Sequence, residues 1–165
     1  MNESEDLALS RRIEDILVAR NLRGMKTIQP HLESGYCMRA ARMLQHCRGN
    51  ILIGTGFPVV KTFETDGPVG AIAMYEAFEK LGANPTIVCG RPLSQALAAQ
   101  YRVHEIRVGN HDQREHEAQD ALQHFHPDAI ISIKTWTGNR RRLLQYARRE
   151  YQRKHRLFRY FHESK

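Results

Sequence analysis

Asn50-Ile51-Leu52-Ile53-Gly54-Thr55-Gly56-Phe57-Pro58-Val59, followed at 64–70 by Glu64-Thr65-Asp66-Gly67-Pro68-Val69-Gly70, is the stretch whose pattern decides the fold. Ile51-Leu52-Ile53 is apolar at every position, which suits a strand buried on both faces. From Gly54 to Thr65 two glycines and a proline predict a long turn. Thr65 or Asp66 then stands where a helix wants its N-cap, with Pro68 in the first turn. Ala71, Ile72, Tyr75 and Phe78 recur at helical spacing to about Leu81, and Gly82 stops the helix.

The same alternation continues downstream. Thr86-Ile87-Val88, Val103–Val108 and Asp128–Ile133 read as strands, and Pro92–Tyr101 and Arg114–Phe125 as helices. Strands alternating with helices indicate βαβ units. The expected class is α/β: a three-layer, mostly parallel sheet flanked by helices. An N-terminal helical segment precedes it. There, Ser4 to about Arg20 carries Leu7, Ile13, Ile16 and Leu17 at helical spacing. Asn21–Ser34 is a connection broken by Gly24 and Pro30. Gly35 to Cys47 is a second helix, with Met38, Ala41 and Met43 expected to face inward.

The length of 165 residues suits one domain with a real core, and the apolar content of 41% is ordinary for a globular protein. Nothing approaches the ~18 unbroken apolar residues of a membrane span. The acidic start (Glu3, Glu5, Asp6) lacks the apolar region of a secretory signal. Cys37, Cys47 and Cys89 form no close pair, which argues against a zinc site or a disulfide framework and for a cytoplasmic setting. The net charge of +7 is unevenly placed. Residues 135–165 hold ten basic and two acidic side chains, whereas the first 134 hold 15 and 16. The expected division is therefore an α/β domain at 1–134 and a basic tail at 135–165.

Three features converge on the glycine-rich loop, at the end of the sheet where open α/β proteins bind ligands. Gly54, Gly56, Gly67 and Gly70 let the backbone approach a ligand closely, with Thr55, Phe57, Pro58, Thr65 and Pro68 completing the candidate ligand-binding set. The helix N-terminus offers unpaired N–H donors to an anion. Glu64 and Asp66 are carboxylates two residues apart, able to hold a hard cation or to move protons. Plainer roles compete: Asp66 as a helix cap, Glu64 as a solvated loop residue, Gly-Thr-Gly as a tight strand exit. The spacing is neither the dinucleotide fingerprint nor a Walker A loop. His111, His116, His124 and His126 read as surface residues, and Cys89 as a small packed one.

I-L-I-G-T-G-F-P-V, then E-T-D-G-P-V-G-A, then Phe78-Glu79-Lys80-Leu81-Gly82-Ala83 together resemble the C-terminal domain of D-glutamate cyclase, with looser similarity from about Leu9 to Ile133. The resemblance implies conversion of D-glutamate to 5-oxo-D-proline and water. It makes Glu64 and Asp66 catalytic and metal-binding candidates, with Mn²⁺ or Mg²⁺ as the cofactor and a small anion such as D-glutamate as the partner. The pattern departs after the fourth strand. The family continues with Glu, P-G and D-G-x-Y-x-N-M-R-G, whereas Ile133 is followed here by Lys134, Thr135, Trp136 and Thr137. The site is therefore expected to be incomplete and turnover to be low.

Codon arithmetic suggests a cause. Shifted by one nucleotide, Trp136 followed by Thr137 must read as Gly. Gln145 followed by Tyr146 gives Asn or Ser, and Tyr146 followed by Ala147 gives Met or Thr. With permitted synonymous codons, Lys134–Tyr151 becomes K-P-G-P-A-T-A-D-G-Y-Y-N-M-R-G-E-N-I. The basic tail is accordingly expected to be an out-of-frame reading, with a basic helix in its own right as the alternative. Two other functions compete: a metal-dependent binder or hydrolase of phosphate esters or nucleotide-type ligands using the same loop, and nucleic-acid binding through the arginines and interleaved aromatics of the tail. No recognised nucleic-acid motif accompanies that tail, which ranks it last, and no membrane partner is expected.

Overall fold

A computed structural model of the chain describes residues 2–21, 24–56, 58–59, 62–63, 65–107 and 111–133. They belong to two compact units, one ending at His46 and one beginning at Cys47.

The first unit is helical: α1 (Glu3–Val18), the single turn α2 (Met25–Ile28) with a 3-10 turn at Gln29–His31, and α3 (Tyr36–Leu44). Asn2 starts α1 with a reciprocal capping box: its side chain accepts the Glu5 N–H while the Glu5 carboxylate accepts the Asn2 N–H. The side chains that α1 buries are Ser10, Glu14 and Val18, whereas Ile13, Ile16 and Leu17 lie on its exposed side. Glu14 is 2% exposed. One of its carboxylate oxygens accepts the Ser10 hydroxyl (2.7 Å) and the Cys37 N–H (3.0 Å), and the other accepts the Gly35 N–H (3.0 Å). The Ser10 oxygen in turn accepts the Met38 N–H. The first N–H donors of α3, which a helix cannot satisfy internally, are thus capped by a side chain from α1. Burial alone would raise the Glu14 pKa, but these hydrogen bonds outweigh it and hold the group below its ordinary 4.5.

Two expectations are corrected here. Asn21–Ser34 is not a plain connection, because it contains α2 and the 3-10 turn. Ala41 and Met43 face outward. Gly35 and Met38 bond Glu14 and Ser10, and Arg42 reaches Glu3 and Asp6 on α1. Of the three apolar positions expected inward, Ala41 and Met43 are therefore not, and the Arg42 side chain reaches α1 in their place.

The second unit is a four-stranded sheet of β1 (Asn50–Gly54), β4 (Asn84–Cys89), β5 (Val103–Glu105) and β6 (Ala129–Ser132), in the order β5-β4-β1-β6 and parallel throughout. A small antiparallel hairpin, β2 (Pro58–Val59) and β3 (Thr62–Phe63), occupies part of what was expected to be an irregular turn. The helices are α4 (Asp66–Lys80), α5 (Leu93–Leu97) and α6 (His111–Phe125). The α/β expectation holds: a parallel sheet flanked by helices, preceded by a helical segment. Ile51, Ile53 and Ile87 are fully buried on the two central strands, with Ala71, Tyr75 and Phe78 of α4 in the core. The Tyr75 hydroxyl accepts the Arg102 N–H, so this buried phenol is satisfied.

From β1 the chain steps to β4 and on to β5, then returns across β1 to add β6 on the other side. α4 packs against β1 and β4, and α5 against β4 and β5. Three boundaries move. α5 stops at Leu97, β5 ends at Glu105, and α6 begins at His111. Backbone hydrogen bonds from Gln100 and Tyr101 to the Leu97 carbonyl turn the chain there, where the sequence suggested a helix to Tyr101. Among the described residues no helix is long and apolar enough to cross a membrane.

Candidate functional site

The two ends of the sheet are finished differently. At the N-terminal end, the Asp128 carboxylate accepts the Gly49 N–H at 2.8 Å, the Asp128 N–H bonds the Asn50 carbonyl, and the Asn84 N–H bonds the Gly49 carbonyl. This ties β1, β4 and β6 together. At the C-terminal end, β1 passes through Gly54-Thr55-Gly56 between β4 and β6. The Thr55 N–H bonds the Val88 carbonyl on one side, and the Ile133 N–H bonds the Gly54 carbonyl on the other. The chain leaves β1 toward β4 and returns to β6, so strand order reverses between β1 and β6. That is the topological switch point, outside whose carboxyl ends α/β sheets take ligands.

Glycine is required at only one of two positions here. Gly56 has φ +97°, where a side chain is strained, and a Cβ there would sit 3.2 Å from Leu93 Cδ2 and 3.7 Å from Cys89 Cβ. Gly70, in the first turns of α4, has no such strain. A Cβ on it would meet Ile133 Cγ2 at 3.4 Å, an ordinary van der Waals contact, which places the start of α4 beside the end of β6. Gly54, Thr55, Gly56 and Gly70 are therefore brought together at one end of the sheet. Gly67 and Pro68 are buried in the first turn of α4.

Thr55 is 2% exposed, and its hydroxyl has no hydrogen-bond partner. It is the one buried side-chain polar atom without a partner among the described residues. Leaving such a group unpaired costs about 1–3 kcal/mol.

Asp66 does not serve as the N-cap. Thr65 holds that position, in helical conformation and without a side-chain capping bond. Asp66 is the first helical residue, exposed, with one carboxylate oxygen accepting the Gly67 N–H at 3.0 Å. Glu64 and Phe57 lie outside the described residues, as does the side chain of Pro58. Among the described residues no cluster of three or more His, Cys, Asp or Glu side chains is arranged to hold a metal ion.

Neighbouring groups were not singled out from sequence. Glu105, at the end of β5, accepts the Ser94 hydroxyl at 2.6 Å and Arg91 Nε at 2.8 Å. The Ser94 bond foremost, with Arg91 in support, holds its carboxyl below the usual range. This network fastens the β4–α5 turn beside Gly56. Ser132 pairs with Gly54 across the switch point. The polar ending of the run Asp128-Ala129-Ile130-Ile131-Ser132 was its only signal, because which strands become neighbours is set by topology. Cys89 is fully buried, and burial, with Glu105 adding to it, pushes its thiol up to about 11. It is a packed, protonated residue, as its place beside Gly90 suggested. His124 and His126 are exposed, and His124 stacks edge-on to Phe125.

Neither the curated proteins nor the solved structures yielded a match to the chain. The family described as D-glutamate cyclase-like, C-terminal, does match, over residues 13–149. That span takes in the whole β1–α4 loop, all four strands of the sheet and 16 residues beyond Ile133. With most of its length matched, including the G-T-G-F-P and E-T-D-G-P segments, the chain belongs to the D-glutamate cyclase-like C-terminal domain family.

Proposed function

We propose that the switch-point crevice binds a small amino dicarboxylate of the D-glutamate type, and that its chemistry is cyclisation to 5-oxo-D-proline with loss of water. The observation that carries this reading is the buried, unpartnered Thr55 hydroxyl at the carboxyl end of β1, on the loop that leads into the N-terminus of a 15-residue helix. A hydroxyl donor and helix N–H donors suit a carboxylate oxygen in the ground state and an oxyanion in the transition state. In the reaction the substrate's neutral amine attacks its own γ-carboxyl carbon. A C–N bond forms and the C–O bond to one γ oxygen breaks; that oxygen leaves as water, taking the proton shed when the ammonium became the neutral amine and the one the nitrogen loses after attack, and the ring nitrogen keeps one N–H. Glu64 and Asp66 are the groups proposed to handle those protons. A divalent cation, if bound, would be held by the same two carboxylates and would polarise the γ-carboxylate; oxygen-only donors favour Mg²⁺ or Mn²⁺ over Zn²⁺.

Turnover in this chain is proposed to be slow, because the block that follows Ile133 departs from the family's acidic and glycine-rich pattern. Calorimetric titration of the full chain with D-glutamate, L-glutamate and inorganic phosphate tests binding, and proton NMR of 5-oxoproline formation tests the chemistry. Saturable binding that prefers D-glutamate is the expected result. Absence of saturation by D-glutamate, or tighter binding of phosphate, would overturn the assignment. Fast turnover would overturn the claim of an impaired site alone.

A further inference from the structure

The turn that leaves β4 carries a cation anchored at one edge. Glu105, at the end of β5, lies opposite Cys89 in the parallel register. One of its carboxylate oxygens accepts Arg91 Nε at 2.8 Å, and the other accepts the Ser94 hydroxyl at 2.6 Å. Ser94 is 2% exposed and its N–H bonds the Gly90 carbonyl, so the carboxylate that holds Arg91 is itself held by a buried group. The Arg91 side chain is 67% exposed. Its Nε is used, whereas neither Nη1 nor Nη2 makes a hydrogen bond among the described residues. A guanidinium fixed through Nε keeps its Nη pair as a fork for a second acceptor, and that fork matches a carboxylate. As an exposed ion pair alone, Arg91–Glu105 would add little to stability.

Position decides what the fork can reach. The Thr55 N–H bonds the Val88 carbonyl, and a Cβ on Gly56 would meet both Cys89 Cβ and Leu93 Cδ2. Arg91 stands two residues from each, so its Cα lies within about 8 Å, two Cα steps, of residues packed on the β1 exit. On the other side of that exit, Gly70 of α4 lies beside Ile133 at the end of β6. Thr55 is thus flanked by the start of α4 and by the Arg91 turn, at one end of the sheet. The amino dicarboxylate proposed for this crevice has two carboxylates. The Thr55 hydroxyl and the N–H donors of α4 account for the γ-carboxylate, and Arg91 offers a cation to the other.

We infer that Arg91 receives the α-carboxylate of the ligand on its Nη pair, with Glu105 holding the guanidinium in place. The inference rests on the dicarboxylate reading of the crevice and adds the group that recognises the second carboxylate.

Calorimetric titration of the full chain with D-glutamate and with 4-aminobutyrate, which keeps the amine and the γ-carboxylate but lacks the α-carboxylate, tests it. The parent should prefer D-glutamate. Arg91→Gln should weaken D-glutamate on the order of 10- to 100-fold, the loss of hydrogen bonds between charged groups, and leave 4-aminobutyrate unchanged. Arg91→Lys, which keeps the charge without the fork, should fall between parent and Arg91→Gln. The thermal midpoints of both variants should match that of the parent, because the side chain is exposed. If the parent binds D-glutamate and Arg91→Gln binds it equally well, the role of Arg91 is overturned and the crevice reading stands. Equal weakening of both ligands, or a parent that binds them equally, would also overturn that role. A parent that does not bind D-glutamate overturns the crevice reading and this inference together.

Discussion

The helical unit and the sheet unit solve the same problem in opposite ways. In the sheet unit the apolar pattern and the burial coincide: Ile51, Ile53 and Ile87 are fully buried, and the one buried polar side-chain atom left unpaired among the described residues, Thr55 Oγ1, lies at the carboxyl end of β1. In the helical unit the buried face of α1 includes a hydrogen-bonded Ser-Glu pair, while four of its large apolar side chains are exposed. The sheet unit is held by packing, and the helical unit by polar capping.

Packing and capping make different demands on single substitutions. Ile53→Ala removes a fully buried side chain from the central strand, and a cost of about 3–4 kcal/mol is expected. Hydrogen exchange read by mass spectrometry should show the loss of protection in β1, β4 and β6, with α1 and α3 unchanged. Loss spread evenly over both units would mean that they fold as one, and would break the contrast.

Glu14→Ala should cost about 3 kcal/mol, because it strips partners from the Ser10 hydroxyl and from the Gly35 and Cys37 N–H groups together. The effect should be confined to α1 and α3. Its pH dependence follows from the direction of the shift. The folded-state pKa lies below the ordinary 4.5, so the contribution is complete above that value and is lost as pH falls through the lower, folded-state value. Acid titration of helical circular dichroism should show a component in that window which Glu14→Gln abolishes. A titration identical in the two proteins would remove Glu14 from this role.

Divalent cations offer a smaller handle, acting on one unit alone. If Glu64 and Asp66 hold Mn²⁺ or Mg²⁺, saturating ion should raise the stability of the sheet unit by about 2 kcal/mol through mass action. That gain should disappear in Glu64→Gln. Stabilisation by Zn²⁺ alone, surviving Glu64→Gln and lost on substituting Cys or His, would contradict the oxygen-donor assignment.

Local pattern carried the legible part of the fold. Ile51-Leu52-Ile53 suited a buried strand and is one, Gly82 ended α4 as its place demanded (φ +81°), and the class followed from alternation. Register against neighbours was not legible. Nothing in Asp128–Ile133 says that it lies beside β1, so the switch point, and Ser132 with it, became visible only with strand order. The direction of α1's buried face was hidden as well, since a Glu buried as another helix's cap looks like any solvated charge. Thr55 was readable as a loop residue but not as an orphan, because a missing hydrogen bond is a property of the packed site. The segment after Ile133 stays a question of coding sequence. A shifted frame spelling the D-G-x-Y-x-N-M-R-G block is proposed, whereas the family match runs on to residue 149 in the frame as written. These make opposite demands, and sequencing the gene across codons 130–151 decides between them.

The smallest effect is the most informative about the ligand site. Thr55→Val keeps the shape of a side chain that is 2% exposed and deletes its unpartnered hydroxyl. A substitution at an ordinary buried threonine breaks a hydrogen bond and destabilises the fold. Here no bond is lost and the desolvation cost of a lone hydroxyl is relieved, so stability should rise by about 1 kcal/mol. Binding of D-glutamate should move the other way, weakening about fivefold to tenfold through the loss of one hydrogen bond to a charged oxygen. Opposite signs in the same variant are what a stability–function trade-off at a binding site requires. Chemical denaturation and calorimetry on one preparation measure both. If Thr55→Val destabilises the protein and leaves binding unchanged, the hydroxyl is a structural group and the crevice at β1 loses its claim to the ligand.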